Sequence, residues 1–151
     1  MYKNVYIEEL HLLAKDLKDI IIEQKKSSVV VYIDGPMGAG KTTFVKAFAK
    51  EIGIKGEVQS PTFTIMREYE IQDADIIQNK LLHVDAYRFE TKSEGDILEL
   101  NSLLKSEEKV LIFIEWPQNM NAPRANVIVN INKAKYENIR SVTFKIIKTI
   151  Q

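Results

Sequence analysis

The sequence predicts an α/β fold in which a mixed central sheet is flanked by helices. Two unbroken runs of β-branched and aliphatic residues, at 29–33 and 110–114, have the composition of strands buried on both faces. Segments with helical periodicity alternate with these strands, which is typical of an α/β fold. Two alternating segments near the C-terminus, at 125–132 and 141–147, flank a turn-prone stretch and indicate antiparallel strands. The length of the chain favours a single domain over 1–151.

The first half of the chain predicts the order helix, strand, loop, helix. Apolar residues recur with helical spacing on one face over 8–25, and charged residues occupy the other face. The buried strand at 29–33 follows, and then a loop with three glycines. The next helix is predicted over 41–52, where apolar residues again repeat with helical period. Gly53 stands where a glycine commonly ends a helix.

The middle of the chain predicts two shorter strands and one helix. A stretch rich in β-branched and aromatic residues predicts a strand over 63–69, and an apolar run predicts another over 81–84. The polar residues between them, at 71–80, indicate a turn. A third helix is predicted over 94–106, directly before the second buried strand. This order predicts that strands alternate with helices in the first part of the chain and that antiparallel strands follow near its C-terminal end.

The composition excludes several classes of function. The formal net charge is zero, so no overall basic charge indicates nucleic acid or an anionic membrane as a direct partner. The chain contains no cysteine, which excludes disulfides, thiolate zinc sites and cysteine catalysis. Its N-terminal residues lack the apolar core of a signal peptide, and its longest apolar runs are too short to span a bilayer. These observations predict a soluble cytoplasmic protein without a membrane segment.

The loop after the first buried strand matches the phosphate-binding pattern G-x-x-x-x-G-K-[ST] at every fixed position. Glycines allow the backbone to surround a phosphate chain with inward-pointing N–H groups, and the following helix adds its positive N-terminal end. The lysine of this pattern is expected to reach the β- and γ-phosphates, and the next hydroxyl to ligate Mg²⁺. The residues predicted to bind the nucleotide here are Gly35, Met37, Gly38, Ala39, Gly40, Lys41, Thr42 and Thr43.

Two acidic residues follow predicted strands and are candidates for the chemistry of the site. Asp85 follows the strand at 81–84, and Glu115 follows the strand at 110–114, with Trp116 next to it. Because ligands of open α/β sheets lie beyond the carboxyl ends of the strands, both acids are expected to face the phosphates. One would help hold Mg²⁺ and the other would order an attacking water. His83 alternates within a strand, which favours a structural role over a catalytic one.

Thr62, in the segment "QSPTFT", is a further candidate. It lies about twenty residues beyond the magnesium threonine and resembles the loop that senses the γ-phosphate in P-loop NTPases. The same residues are also compatible with a turn at Pro61 that leads into an edge strand. Spacing alone leaves both interpretations open.

The loop does not by itself identify the reaction, and three functions fit it. A small nucleotide or nucleoside kinase needs a mobile, arginine-bearing lid, whereas the four arginines of this chain are scattered. A non-hydrolysing, nucleotide-gated binding module would need no pair of acids. An ATPase accounts for both the loop and the acids. Guanine specificity has no support, because "NKAK" has a lysine where an N-K-x-D motif requires aspartate.

Four motifs together resemble the TsaE family. They are "GPMGAGKTTF", "VQSPTFT" followed by "EY", "HVDAYR" and "IEWP", in this order within residues 8–117. The resemblance implies a P-loop ATPase required for threonylcarbamoyladenosine (t6A) modification of tRNA, with ATP and Mg²⁺ as cofactors. It implies TsaD and TsaB as protein partners, with tRNA reached indirectly through their complex, and ATPase activity that is weak without them. It also implies phosphate and metal binding by Lys41 and Thr42, nucleotide sensing by Thr62, acidic roles for Asp85 and Glu115, and a flanking position for Trp116.

The chain departs from the pattern of this family in three places. Pro36 and Met37 replace an acidic residue and a leucine that many members carry in the loop. The segment after "YRF" lacks a Leu-Gly step, and Gln118 stands where an acid is frequent. Because main-chain groups of the loop bind phosphate, the first difference is expected to leave phosphate binding intact. The other two differences are expected to affect the partner-facing surface and the geometry near Glu115.

Overall fold

A computed structural model describes residues 2–56, 58 and 65–148 of the chain. The strands are β1 (Tyr2–Tyr6), β2 (Val29–Asp34), β3 (Met66–Glu70), β4 (Lys80–Asp85), β5 (Val110–Glu115), β6 (Val127–Lys133) and β7 (Ile139–Ile146). The α-helices are α1 (Leu10–Gln24), α2 (Lys41–Glu51) and α3 (Leu100–Lys105). Short 3₁₀ segments cover Ile7–Glu9, Lys92–Leu98 and Pro117–Asn119.

The strands form one mixed sheet in the order β1-β7-β6-β2-β5-β4-β3. The four central strands, β6, β2, β5 and β4, are parallel to one another. Antiparallel strands lie at both edges, where β7 and β1 follow β6 and where β3 pairs with β4. The parallel centre places the carboxyl ends of β2, β4 and β5 at one edge of the sheet, where the predicted phosphate-binding loop also begins.

Both faces of the sheet are covered by apolar side chains. Along β2, Val29, Val31 and Ile33 pack with α1 and α2, whereas Val30 packs with the cluster around α3. Phe48 of α2 meets Phe113 of β5 with ring centres 4.9 Å apart. The unbroken apolar runs of the central strands therefore have the physical cause expected from the sequence, which is burial on both faces.

Most predicted elements are confirmed within a residue or two. The buried strands, the first two helices and the C-terminal strand pair are present, and β6 and β7 are antiparallel neighbours as predicted. Gly53 follows α2 with φ of 75°, a left-handed conformation that glycine adopts without strain. The structure describes the predicted strand over 63–69 only from residue 65 onward, and within this part β3 begins at Met66.

Two elements differ from the prediction. The single helix expected over 94–106 is wrong, because a 3₁₀ segment and the short α3 take its place. Glu99 separates the two with φ of 51°, a left-handed conformation that interrupts helical hydrogen bonding. The edge strand β1 was not predicted, since "YKNVY" shows no regular alternation of apolar and polar residues. Among the described residues, no helix is long and apolar enough to cross a membrane.

Candidate functional site

The phosphate-binding loop lies directly against the backbone of β6. Gly35 follows β2, and its N–H donates to the Asp34 carboxylate at 2.9 Å. A Cβ atom at Gly35 would stand 2.0 Å from the carbonyl oxygen of Ile131, and the φ of Gly35 is 147°. Only glycine permits this approach and this conformation without strain. The first glycine of the motif is therefore required by the packing of the loop on the sheet.

The loop ends where α2 begins. Gly40 has φ of 106° and stands at the N-cap of α2, and Lys41 is the first residue of the helix. The N–H groups of the first turn of a helix have no partner within the helix, and together with the helix dipole they favour an anion. The predicted sequence of strand, glycine loop and helix is thus the one that the structure contains.

The Lys41 side chain crosses the site and is nearly buried, with 6% of its surface exposed. Its Nζ donates to the Gly35 carbonyl oxygen at 2.7 Å. The same atom lies 3.8 Å from the centre of the Trp116 ring, within the range of a cation–π interaction. Lys41 and Trp116, which the sequence placed in the site separately, are therefore in direct contact.

The pKa of Lys41 is lowered from its ordinary value, mainly because burial penalises the charged ammonium. Three carboxylates oppose this effect and favour the charged form, in the order Glu115, Asp85 and Asp34. The lysine is thus a desolvated cation that three nearby acids stabilise at the edge of the sheet. Such a group can interact strongly with the oxygens of a phosphate chain.

Asp85 and Glu115 are neighbours at the carboxyl ends of β4 and β5. They occupy opposite positions in the parallel pairing of the two strands, and both are buried. The N–H of Tyr87 donates to the Asp85 carboxylate at 3.0 Å. The N–H of Ala86 donates to the main-chain carbonyl of Glu115 at 3.0 Å. The pairing of the strands therefore brings together two acids that are thirty residues apart in the sequence.

His83 contacts the Glu115 carboxylate, and this contact was not predicted. The imidazole is fully buried, and its Nε2–H donates to Glu115 Oε2 at 2.6 Å. The other ring nitrogen, Nδ1, is buried and has no hydrogen-bond partner among the described residues. The bond restricts the orientation of the carboxylate. His83 is thus a packed histidine, as the alternation of the strand indicated, and it also supports an acid of the site.

The loop, the acids and Trp116 line one cleft with a volume of about 380 Å³. Most residues predicted for the site face this cleft; they are Met37, Gly38, Gly40, Lys41, Thr42, Thr43, Asp85, Glu115 and Trp116. Gly35 and Ala39 form the back of the loop and do not line it. The predicted sensor Thr62 lies outside the described residues.

Ile7 and Tyr87 also line the cleft, and sequence reasoning missed both. Tyr87 lies beside Trp116, with ring centres 5.1 Å apart. Its position two residues after Asp85, just beyond the end of β4, could have indicated that it lies near the site. Ile7 comes from the segment after β1, and its N–H donates to the Asn138 carbonyl at 2.9 Å. No local pattern connects Ile7 with the loop, because only the fold brings them together.

The donor set of the cleft fits a magnesium ion that is shared with a phosphate. Among the described residues, no three His, Asp or Glu side chains gather as a metal cluster. Mg²⁺ commonly takes one or two protein oxygens and completes its shell with waters and substrate phosphates. The Thr42 hydroxyl and the Glu115 carboxylate, which line the same cleft, are suitable protein donors of this kind.

Comparison with known proteins gives consistent results. The family model described as threonylcarbamoyl adenosine biosynthesis protein TsaE matches residues 7–142. A tRNA threonylcarbamoyladenosine biosynthesis protein TsaE from Bacillus subtilis is 34% identical over 145 residues, which cover 95% of this chain and 83% of the relative. The protein of the same description from Haemophilus influenzae is 28% identical over 131 residues, with 85% and 77% covered. That from Aquifex aeolicus is 42% identical over 83 residues, with 54% and 56% covered.

A solved structure shares the fold. The crystal structure of YdiB from Bacillus subtilis superimposes with a TM-score of 0.63 and 25% sequence identity. The match covers 98% of this chain and 86% of the other. The mixed sheet and its phosphate-binding loop therefore belong to a known P-loop NTPase architecture.

Proposed function

The chain belongs to the TsaE family, and we propose that it serves threonylcarbamoyladenosine formation in tRNA by binding and hydrolysing Mg-ATP in its cleft. The observation that carries this proposal is the convergence of a complete phosphate-binding loop and two strand-end acids on one cleft. A loop alone would support binding. The addition of paired acids supports chemistry at the γ-phosphate.

The loop and the first turn of α2 would hold the phosphates. Main-chain N–H groups of Gly38 and of residues 40–43 would donate to phosphate oxygens, and Lys41 would exchange its bond to the Gly35 carbonyl for the β- and γ-phosphates. This exchange transfers the ammonium from a neutral oxygen to anionic ones, which strengthens the hydrogen bond. The nearly buried position of Lys41 enhances the attraction, because the local dielectric constant is low.

The two acids would divide the remaining work. Glu115 and Thr42 would hold Mg²⁺, which supplies positive charge to the phosphate oxygens when it is bound. Asp85 would orient the attacking water from the neighbouring strand end. The bond from His83 favours the metal role for Glu115, because ligating carboxylates are commonly fixed by such partners. Thr62 remains our prediction for the residue that senses the γ-phosphate.

The described part of the cleft offers less support for a kinase. None of the described residues that line it is an arginine. Kinases that move a phosphoryl group to an acceptor commonly close an arginine-bearing lid over it. We therefore favour water as the acceptor of the phosphoryl group.

We propose that the chain is a single-domain ATPase and that its protein partners are TsaD and TsaB. In the absence of partners, catalysis rests on positioning and charge neutralisation by one small domain, and slow turnover is expected. The tRNA would be reached through the partner complex, in keeping with the zero net charge of the chain. These assignments follow from the family and not from a surface feature.

The test combines phosphate release with co-purification. We expect slow release of phosphate from Mg-ATP by the purified chain, faster release when TsaD and TsaB are added, and no phosphorylated acceptor among the products. Lys41→Met should reduce ATP affinity, since it removes the ammonium but keeps the length of the side chain. Lys109→Met, at an exposed position before β5, is the matched control.

Three results separate the alternatives. Nucleotide binding that is unchanged by Lys41→Met would contradict the assignment of the site. Tight ATP binding without phosphate release in the complete complex would identify a binding module. A phosphorylated small molecule among the products would identify a kinase.

A further inference from the structure

Arg140 is a buried cation behind the phosphate-binding loop. It lies near the start of β7 and is 6% exposed. Its Nε donates to the carbonyl oxygen of Ala39 at 2.9 Å, and its Nη2 lies 3.4 Å from the carbonyl of Gly38. The guanidinium therefore contacts main-chain carbonyls of the loop from about a hundred residues away in the sequence, and Arg140 is not part of the lining of the cleft.

The rest of the guanidinium also bonds main-chain oxygens. Nη1 donates to the carbonyls of Glu137 and Ile139, at 2.6 and 3.1 Å. Among the described residues, none of the ion pairs includes Arg140. A buried charge without a counter-ion is costly, and carbonyl dipoles compensate only part of that cost. A full positive charge thus lies just behind the predicted phosphate cradle.

The bond to Ala39 determines which way one peptide group points. The described peptide bonds are all trans, so the N–H of Gly40 points opposite to the Ala39 carbonyl that Arg140 holds. Gly40 itself lines the cleft, whereas Ala39 and Arg140 are not part of its lining. The N–H of Ala39 is already engaged by the Pro36 carbonyl at 3.2 Å. Arg140 therefore orients the Ala39–Gly40 peptide toward the cleft.

We propose that Arg140 is a positioning residue of the nucleotide site, which orients the Gly40 N–H toward the phosphates and adds positive charge behind them. This inference rests on the proposed function of the cleft as a nucleotide site. The charge and the orientation act together, because both favour a polyanion on the open side of the loop. The backbone of Arg140 is held in the sheet between Val5 of β1 and Lys133 of β6, so the side chain extends from a fixed point.

The test compares nucleotide affinity in four proteins by isothermal titration calorimetry with Mg-ATP and Mg-ADP. Arg140→Met removes the charge and the donors but keeps the length of the side chain, and Arg140→Lys restores the charge and one donor group. Arg124→Met changes an exposed arginine just before β6 and is the control. Titrations are made well below the melting temperature of each variant, so that loss of stability does not lower the apparent affinity.

We expect Arg140→Met to raise the dissociation constants of ATP and ADP by about tenfold, the value of one charge-assisted hydrogen bond. Arg140→Lys should recover part of this loss, and Arg124→Met should bind as the wild type does. A folded Arg140→Met protein with wild-type affinity would overturn the inference alone. A wild-type protein that binds neither nucleotide would overturn the proposed function, and this inference with it.

A measurement on the unmutated protein covers the case in which Arg140→Met does not fold. The chain has four arginines, so selective ¹⁵N labelling gives four Nε–H signals in an NMR spectrum. We expect the buried, bonded Nε–H of Arg140 to exchange slowly with solvent and to shift when Mg-ATP is added. Arg67 Nε is also buried, so an Arg67→Lys variant, which lacks the Arg67 signal, distinguishes the two. The inference is contradicted if no slowly exchanging signal responds to the nucleotide.

Discussion

Two substitutions of His83 can distinguish its effect on the orientation of the Glu115 carboxylate from its contribution to the stability of the core. His83→Leu removes the hydrogen-bond donor and replaces the imidazole with an apolar side chain of similar size. His83→Gln keeps an N–H donor at a comparable distance from the backbone. If the role of His83 is to fix the Glu115 carboxylate, the glutamine variant should retain function that the leucine variant loses.

The effect of His83→Leu on stability is expected to be small. The lost bond ends on a carboxylate and contributes about 2 kcal/mol. The substitution also removes the buried Nδ1, which has no hydrogen-bond partner in the part of the chain that the structure describes, and this returns about 1 kcal/mol. The net loss of about 1 kcal/mol corresponds to a fall of about 2–4 °C in the melting temperature of a chain of this size.

The effect on magnesium use is expected to be larger than the effect on stability. Removal of a group that orients a metal ligand commonly reduces metal affinity by about 10- to 100-fold. We therefore expect His83→Leu to raise the Mg²⁺ concentration for half-maximal ATP turnover by at least about tenfold. His83→Gln should remain close to the wild type. The assays are phosphate release across a magnesium titration and thermal unfolding by circular dichroism.

Two results would refute this reasoning. If both variants need the same Mg²⁺ concentration as the wild type, His83 does not orient a metal ligand. If His83→Leu and His83→Gln both lose several kcal/mol of stability with unchanged magnesium dependence, the imidazole serves packing alone.

Three further predictions concern the loop, an ion pair and the tryptophan. Gly35→Ala should lose about 3 kcal/mol or more of unfolding free energy in urea, because its Cβ would meet a β6 carbonyl oxygen at 2.0 Å. Gly56→Ala, with no described neighbour within 4 Å, should lose less. Asp73 accepts a 2.6 Å bond from Lys18, which lowers the pKa of the Asp73 carboxyl from 3.8. Asp73→Asn should therefore cost about 0.5–1 kcal/mol at pH 7. This difference should begin to shrink as the pH falls below about 4, where the carboxyl of the unfolded chain takes up a proton, and should be lost once the pH passes the lowered pKa of the folded carboxyl. Trp116 is the only tryptophan, so its emission should change when Mg-ATP draws the lysine from its ring, and an unchanged spectrum at saturation would contradict that movement.

The parts of the fold that follow from local pattern could be predicted from the sequence. The run at Val29–Asp34 is apolar because both faces of β2 are covered, and this requirement is visible in the residues themselves. The phosphate-binding loop could be predicted for a similar reason, since each fixed position satisfies a local backbone or ligand requirement. The placement of Asp85 and Glu115 at one edge follows from the parallel order of their strands.

The parts that depend on distant contacts could not be predicted. Arg140 lies in what the sequence presents as a turn, and only the closure of the sheet brings it to Ala39. His83 shows the same limit, because alternation indicates that it is buried but not which group it bonds. The helix predicted over 94–106 failed at Glu99, whose left-handed conformation has no glycine to signal it.

The first strand has a practical consequence for anyone who shortens this chain. The family match begins at residue 7, so a protein trimmed to that boundary would lack β1. Its removal would leave main-chain N–H and C=O groups of β7 unpaired along an exposed edge, which is a template for association with other chains. Such a fragment should aggregate or dimerise where the longer protein stays dispersed.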